Sequence, residues 1–181
     1  MSDSKPIVDK RLMFNHQAIK EEIKRIAKQI NSDYDGCPKL ILIPILKGGV
    51  LFASELSKHI KVPIQIEYIQ ASSYHGTTKQ SKYCDVKYLF SPDIIKDKNV
   101  LIIDDILDSG KTLSYIKKNL EMHGPKDVKI GVLLSKLKER LTDLKSADYV
   151  GFEIDDLFVI GYGLDYDELY RNETCIYEAT F

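Results

Sequence analysis

Three carboxylates within five positions, Asp104, Asp105 and Asp108, run into Ser109, Gly110, Lys111 and Thr112. Such residue types make an anion site with a metal or hydroxyl partner beside it. The backbone N–H groups of Ser109 to Thr112 carry little side-chain bulk, and a helix start leaves four donors unpaired where a phosphate is favoured. Ser109 and Thr112 add hydroxyl donors, and Gly110 permits positive φ and close approach. A phosphate monoester is the natural guest. A plainer reading makes Asp108 or Ser109 a helix cap behind two solvated aspartates, since such caps are common. That reading leaves three carboxylates in so short a span without a purpose.

The elements that position these groups are legible on either side. Val100 to Ile103 is a run of β-favouring apolar residues, suited to a strand buried on both faces of a parallel sheet. It delivers Asp104 and Asp105 to the carboxyl end of a strand, where open α/β sheets place their ligands. A short loop, Ile106 to Gly110, leads to a helix whose apolar face is Leu113, Ile116 and Leu120. The run Ser109 to Thr112 has the look of a nucleoside-triphosphate P-loop tail. That pattern needs a glycine five positions before Gly110, where this chain has Asp105, so the P-loop is excluded.

Cations reach the same sheet edge from two other places. An apolar strand from Leu40 ends in Leu46-Lys47-Gly48-Gly49, and a helix follows from about Val50 to His59. The two glycines let backbone approach a ligand, although a plain tight turn explains them equally well. A strand from Val128 to Leu134 ends in Ser135 and Lys136, a lysine that either enters the site or reaches solvent.

In the rest of the chain, Ile19, Ile23, Ile26 and Ile30 mark an amphipathic helix within Asn15 to Ile30, and Asn31 to Pro38 reads as the loop after it. Ile64 to Ile69 alternates as a half-buried strand, and Asp85 to Phe90 returns from a long Ser/Thr/Gly/Lys-rich connection that is a binding lid or simply a surface loop. Tyr149 to Ile154 and Leu157 to Ile160 read as short strands. Gly161 to Gly163 form a turn, Arg171 sits in a short helical turn behind the acidic Asp165, Asp167 and Glu168, and Cys175 to Ala179 is a last strand.

Composition narrows the function. A chain of 181 residues is most simply one domain. A net charge of −1 gives no reason to expect nucleic acid or an anionic membrane as partner. The longest apolar stretch, Leu40 to Leu46, is interrupted by Pro44 and too short to span a bilayer, and Cys37, Cys84 and Cys175 lack metal-site spacing. These features predict a cytoplasmic protein with free thiols.

Val100 to Thr112, read whole, resembles the phosphoribosyl-pyrophosphate (PRPP) signature of the type I phosphoribosyltransferases: an apolar strand, two acids, two apolar residues, then Asp-Ser/Thr-Gly. With Leu46 to Gly49, Ser73-Tyr74, Lys136 and Gly151 to Arg171 in order, the chain from Leu40 onward is similar to the hypoxanthine (hypoxanthine-guanine) branch of that family. One departure is Asp104, where many members carry Glu.

The resemblance implies an α/β fold: a mainly parallel twisted sheet flanked by helices, with a small hood subdomain and a long flexible loop. Within a single domain over 1–181, the core would take about 36–150 and the hood the N-terminal segment with about 151–181. The implied activity is purine salvage, transferring the 5-phosphoribosyl group of PRPP to hypoxanthine and guanine, with Mg2+ as cofactor and a homodimer or homotetramer as assembly. The implied roles give Asp104, Asp105, Asp108, Ser109, Gly110, Lys111 and Thr112 to the ribose hydroxyls and 5′-phosphate. Lys47, Gly48 and Arg171 go to pyrophosphate, with a cis peptide between Leu46 and Lys47. Asp165, with Asp104 and Asp105, goes to magnesium. Phe158, Val159, Lys136 and Asp165 go to the purine, Ser73 and Tyr74 to a closing loop, and Asp108 acts as general base. Two alternatives remain: a phosphoribosyltransferase for xanthine or adenine, against which Lys136 as a pure donor suits a 6-keto oxygen, and a nucleotide-sensing regulator on the same fold.

Overall fold

The computed structural model describes residues 6–72 and 85–181. β1 (Asp9–Phe14) leads into α1 (His16–Asp33), where Asn15 caps the helix by accepting from the Ala18 N–H at 2.9 Å. Ile19, Ile23, Ile26 and Ile30 are fully buried along one stripe of α1. Each contributes about 2 kcal/mol of transfer free energy, which fixes the helix against the sheet.

β2 (Leu40–Leu46) and α2 (Gly49–Ser57) follow, then β3 (Ile64–Ile66), β4 (Ile69–Ser72) and β5 (Asp85–Tyr88). A 3-10 turn (Pro92–Ile95) precedes β6 (Asn99–Leu107), α3 (Lys111–Glu121), β7 (Asp127–Lys136) and β8 (Tyr149–Ile154). The main sheet runs β5-β4-β2-β6-β7-β8, with β3 also on β2, and every pair is parallel except β4 with β5. The strands are apolar on both sides because both faces are covered. Leu40, Leu42, Leu101 and Ile103 face one core with α1 and α2, while Ile41, Ile43, Ile45, Val100 and Ile102 face another with α3.

A second sheet, β1-β10-β9, joins the first strand to β9 (Val159–Ile160) and β10 (Ile176–Thr180), all antiparallel. Phe14 of β1 stacks on Phe152 of β8 at 3.9 Å between ring centroids, locking the small sheet to the large one.

The α/β class and mainly parallel sheet expected from the sequence are present, with local corrections. The loop read from Ile106 starts only after Leu107, because β7 runs to Lys136 and keeps pairing through Leu107↔Ser135, so Asp104 and Asp105 stand within the carboxyl-terminal part of β6. The single strand read over Ile64 to Ile69 is two, β3 against Leu40–Leu42 and β4 against Ile45–Leu46; Pro44, which has no N–H to offer, stands in the gap. Around Arg171 there is no helical turn. Asp167, Glu168 and Tyr170 all have positive φ, which a helix cannot accept, and Tyr166 bridges Leu169 instead.

Candidate functional site

The carboxyl ends of β2 and β6 and the start of α3 open on a cleft of about 440 Å³. Its lining includes Lys47, Gly48, Asp104, Asp105, Asp108, Ser109, Gly110, Thr112, Asp165 and Arg171. Residues from four separate stretches of sequence thus share one wall-to-wall space, of the size that holds small ligands.

Its floor is the acidic pair. Asp104 and Asp105 are successive residues of β6 that both line the cleft, and Asp104 Oδ1 accepts from the Asp105 N–H at 3.0 Å. Burial raises the Asp104 carboxyl well above the usual range, and the Asp105 charge pushes the same way. Burial also raises Asp105, with Arg171 among the groups opposing the rise. Two enclosed carboxyls that resist joint ionisation are the setting for a cation. Among the described residues, however, no three His, Cys, Asp or Glu side chains converge to hold a metal by themselves.

Over Asp105 sits the Lys47–Gly48 turn, reached through a cis peptide between Leu46 and Lys47. It is clamped on both sides. A Cβ on Gly48 would meet Asp105 Oδ2 at 1.8 Å, and a Cβ on Gly163 would meet the Gly48 carbonyl oxygen at 2.4 Å. Only glycines fit that closely. Lys47 Nζ pairs with Glu168 Oε2 at 2.7 Å. Arg171 donates to the Gly163 carbonyl at 2.7 Å and pairs with Asp165 at 2.8 Å and Glu168 at 3.5 Å, while its enclosed Nε has no hydrogen bond among the described residues. Asp165 also accepts from the Glu168 N–H at 3.0 Å, so its carboxylate shapes this turn. Lys47 and Arg171 share the Glu168 carboxylate, and Arg171 keeps a spare buried donor that suits a polyanion.

At the other end, Gly110 takes the left-handed conformation (φ 76°) that turns the chain from β6 into α3, and Ser109 Oγ accepts weakly from the Lys111 N–H at 3.4 Å. Lys111 opens α3 and is exposed, outside the cleft lining. Asp108 sits at the border. Lys136 Nζ is 3.2 Å from Asp108 Oδ2 and 2.9 Å from Asp156 Oδ1.

Lys136, Phe158 and Val159 stand beside the cleft rather than in its lining. Phe158 is exposed and packs edge-on against Tyr166 and Phe181 at 5.6 and 5.1 Å, while Val159 is buried and held by β10. Ser73 and Tyr74 lie outside the described residues.

Glu168, read from the sequence only as part of an acidic cluster, bridges Lys47 and Arg171. Three residues that sequence reasoning did not single out also belong to this assembly. Lys138 and Asp156 join Lys136 and Asp108. Arg140 is buried and donates to the carbonyls of Leu107, Asp108, Lys136 and Lys145 and to Ser135 Oγ. It ties the loop after β6 to the end of β7. The repeat of lysine at 136 and 138 was a readable signal, since alternate residues of an extended chain share a side; Arg140 offered none.

Comparison with known proteins points the same way. Residues 13–167 match the phosphoribosyl transferase domain. The hypoxanthine-guanine phosphoribosyltransferase of Streptococcus pneumoniae (strain ATCC BAA-255 / R6) is 40% identical over 163 residues, covering 90% of this chain and 89% of that one. That of Bacillus subtilis (strain 168) is 38% identical over 164 residues, covering 90% and 88%. The crystal structure of a hypoxanthine-guanine phosphoribosyltransferase from Bacillus anthracis, with a HEPES molecule in its active site, superimposes with a TM-score of 0.86 at 38% identity, covering 97% of this chain and all of that one.

Proposed function

Because this chain belongs to the phosphoribosyl transferase family, we propose that it is a purine-salvage enzyme transferring the 5-phosphoribosyl group of PRPP to hypoxanthine and guanine, giving IMP or GMP and pyrophosphate. The observation that carries this reading is the cleft itself: an acidic floor on β6 under the Lys47–Gly48 turn with Arg171 in the same lining, the Gly110 turn at the other end, and Asp108 on the border with Lys136.

In this reading Asp108 to Thr112 hold the 5′-phosphate through the N–H groups at the start of α3, and Asp104 and Asp105 face the ribose hydroxyls. Lys47 and Arg171 hold the pyrophosphate. The anomeric carbon loses its bond to a pyrophosphate oxygen, which leaves with the electron pair, as a purine ring nitrogen forms the new bond. Positive charge grows on the sugar and negative charge on the leaving group, and the two cations offset the second. The proton of the purine ring nitrogen passes to Asp108. Lys136 donates to the 6-keto oxygen, Phe158 stacks on the base and the backbone of Val159 reads its edge.

The metal of this reading is magnesium, which is bound through one or two carboxylates and substrate oxygens rather than a protein cage. Asp104, Asp105 and Asp165 fit that demand, since the first two resist ionising together without a cation. Held by these carboxylates, magnesium would offset charge on the leaving pyrophosphate.

The chain would act as one domain, the core of about 36–150 carrying the cleft and the hood of the N-terminal segment and about 151–181 beside it. A homodimer or homotetramer would use the apolar face beside Lys47, where Leu51 is exposed. No helix of the described residues is long and apolar enough to cross a membrane. A cytoplasmic site is the simplest setting for the free thiols of Cys37 and Cys175.

The test is nucleotide formation from hypoxanthine, guanine, xanthine and adenine with PRPP and magnesium. Hypoxanthine and guanine are expected to react. Faster turnover of adenine would overturn the role of Lys136, and no nucleotide from any base would overturn the enzyme assignment.

A further inference from the structure

Lys138 has no part in the reading above, yet its ammonium is embedded in the purine side of the site. β7 ends at Lys136, and the chain bends at Lys138. The Leu137 N–H donates to the Ile154 carbonyl at 2.7 Å, turning the Leu137 side chain outward, and the Lys138 N–H folds back onto the Lys136 carbonyl at 3.0 Å. Lys136 and Lys138 therefore project to one side.

There they meet Asp108 and Asp156 in a closed ring of alternating charge. Lys136 Nζ lies 3.2 Å from Asp108 Oδ2 and 2.9 Å from Asp156 Oδ1. Lys138 Nζ pairs with Asp108 Oδ1 and lies 3.1 and 3.2 Å from the two oxygens of Asp156. Two ammoniums balance two carboxylates, and each touches both. Lys138 is thereby held as a cation: its pairing with Asp108 is the largest cause raising its ammonium above the ordinary value.

The ring has a consequence for binding. If Lys136 swings to a 6-keto oxygen, it leaves two carboxylates behind. With Lys138 in place they keep a shared counter-ion; without it Lys136 would be the sole cation for both, and pulling it away would cost more. We propose that Lys138 is a positioning residue that takes over Asp108 and Asp156 when the base draws Lys136 away, and so sets the affinity for 6-keto purines. Arg140 backs this arrangement from beneath, donating to the backbone carbonyls of both Asp108 and Lys136.

The inference rests on Lys136 as the purine donor, and a double-mutant cycle separates the two claims. All four carboxylate and lysine groups keep some exposure, so the effect is moderated by solvent. Lys138→Met is expected to raise the KM for hypoxanthine about two- to fivefold while leaving the KM for PRPP unchanged. Lys138→Arg is expected to restore the parent value. In a Lys136→Met background, Lys138→Met is expected to add nothing, because there is no ammonium left to release. Equal effects of Lys138→Met in both backgrounds would overturn the proposal and reduce Lys138 to a support for the Asp156 loop, as would an unchanged or lowered KM in the single variant. If Lys136→Met alone leaves the hypoxanthine KM unchanged, the role of Lys136 fails instead. Thermal unfolding and the PRPP KM identify a variant that is merely misfolded, in which case Lys138→Gln takes its place in the cycle.

Discussion

Replacing Gly163 by alanine tests whether tight backbone contact, rather than any side chain, fixes the pyrophosphate end of the cleft. The new Cβ would stand 2.4 Å from the Gly48 carbonyl oxygen, whereas real Cβ atoms essentially never come under 3.0 Å, so the Lys47–Gly48 turn must retreat by about 0.6 Å. Misplacing a reacting or binding group by about 1 Å costs on the order of a hundredfold, so a shift of this size predicts roughly a tenfold loss in kcat/KM for PRPP. The same glycine supplies the carbonyl that accepts from Arg171, so both cations loosen together. At φ +100° alanine also pays a backbone penalty of about 1–2 kcal/mol, lowering Tm by roughly 2–8 °C in a chain of this length. Gly124→Ala separates the two effects. Its φ is +70° but no atom of the described residues lies within 4 Å of the added Cβ, so it should lose about 1–2 kcal/mol of stability without any kinetic defect. Steady-state kinetics over a PRPP titration, with thermal unfolding alongside, make the comparison. A Gly163→Ala enzyme with the parent kcat/KM for PRPP would refute the argument that this clamp holds the turn.

Other substitutions probe the remaining parts. Asp108→Asn removes the proton acceptor, and turnover should fall at least about tenfold with PRPP affinity kept; equilibrium PRPP binding and single-turnover rates check it. Glu168→Gln removes the carboxylate that bridges Lys47 and Arg171, so the KM for PRPP should fall about two- to fivefold at low salt, the difference shrinking as salt rises. Arg140→Met strips hydrogen bonds from buried carbonyls at Leu107, Asp108 and Lys136, and should cost on the order of 3–5 kcal/mol by denaturant unfolding, with weaker hypoxanthine binding in whatever remains folded.

Local chemistry made much of this protein readable in one dimension. The apolar run before Asp104, the helical spacing of Leu113, Ile116 and Leu120 and the glycines at 48 and 110 each state a backbone requirement that neighbouring residues alone satisfy. Strand, turn and helix start, and the acids between them, were therefore legible together, and motif order along the chain pointed to the family. Ile106 and Leu107 were read as loop because no local signal says how far β7 will pair alongside β6. The break between β3 and β4 was hidden for a like reason, since it answers to Pro44 two elements away.

What the tertiary structure alone decided is which charges meet. Glu168 lies 121 positions from Lys47, and Arg140 lies 32 from the Asp108 carbonyl it holds. Coulombic and hydrogen-bonding partners are chosen by distance in space, which chain spacing does not encode once a sheet has brought strand ends together. The sequence determined the kinds of group available at that edge and the turns that present them. Folding decided that Lys138 shares Asp108 with Lys136, and that Gly163 presses on Gly48, because those pairings arise only when β7, β8 and the second sheet close over β2 and β6.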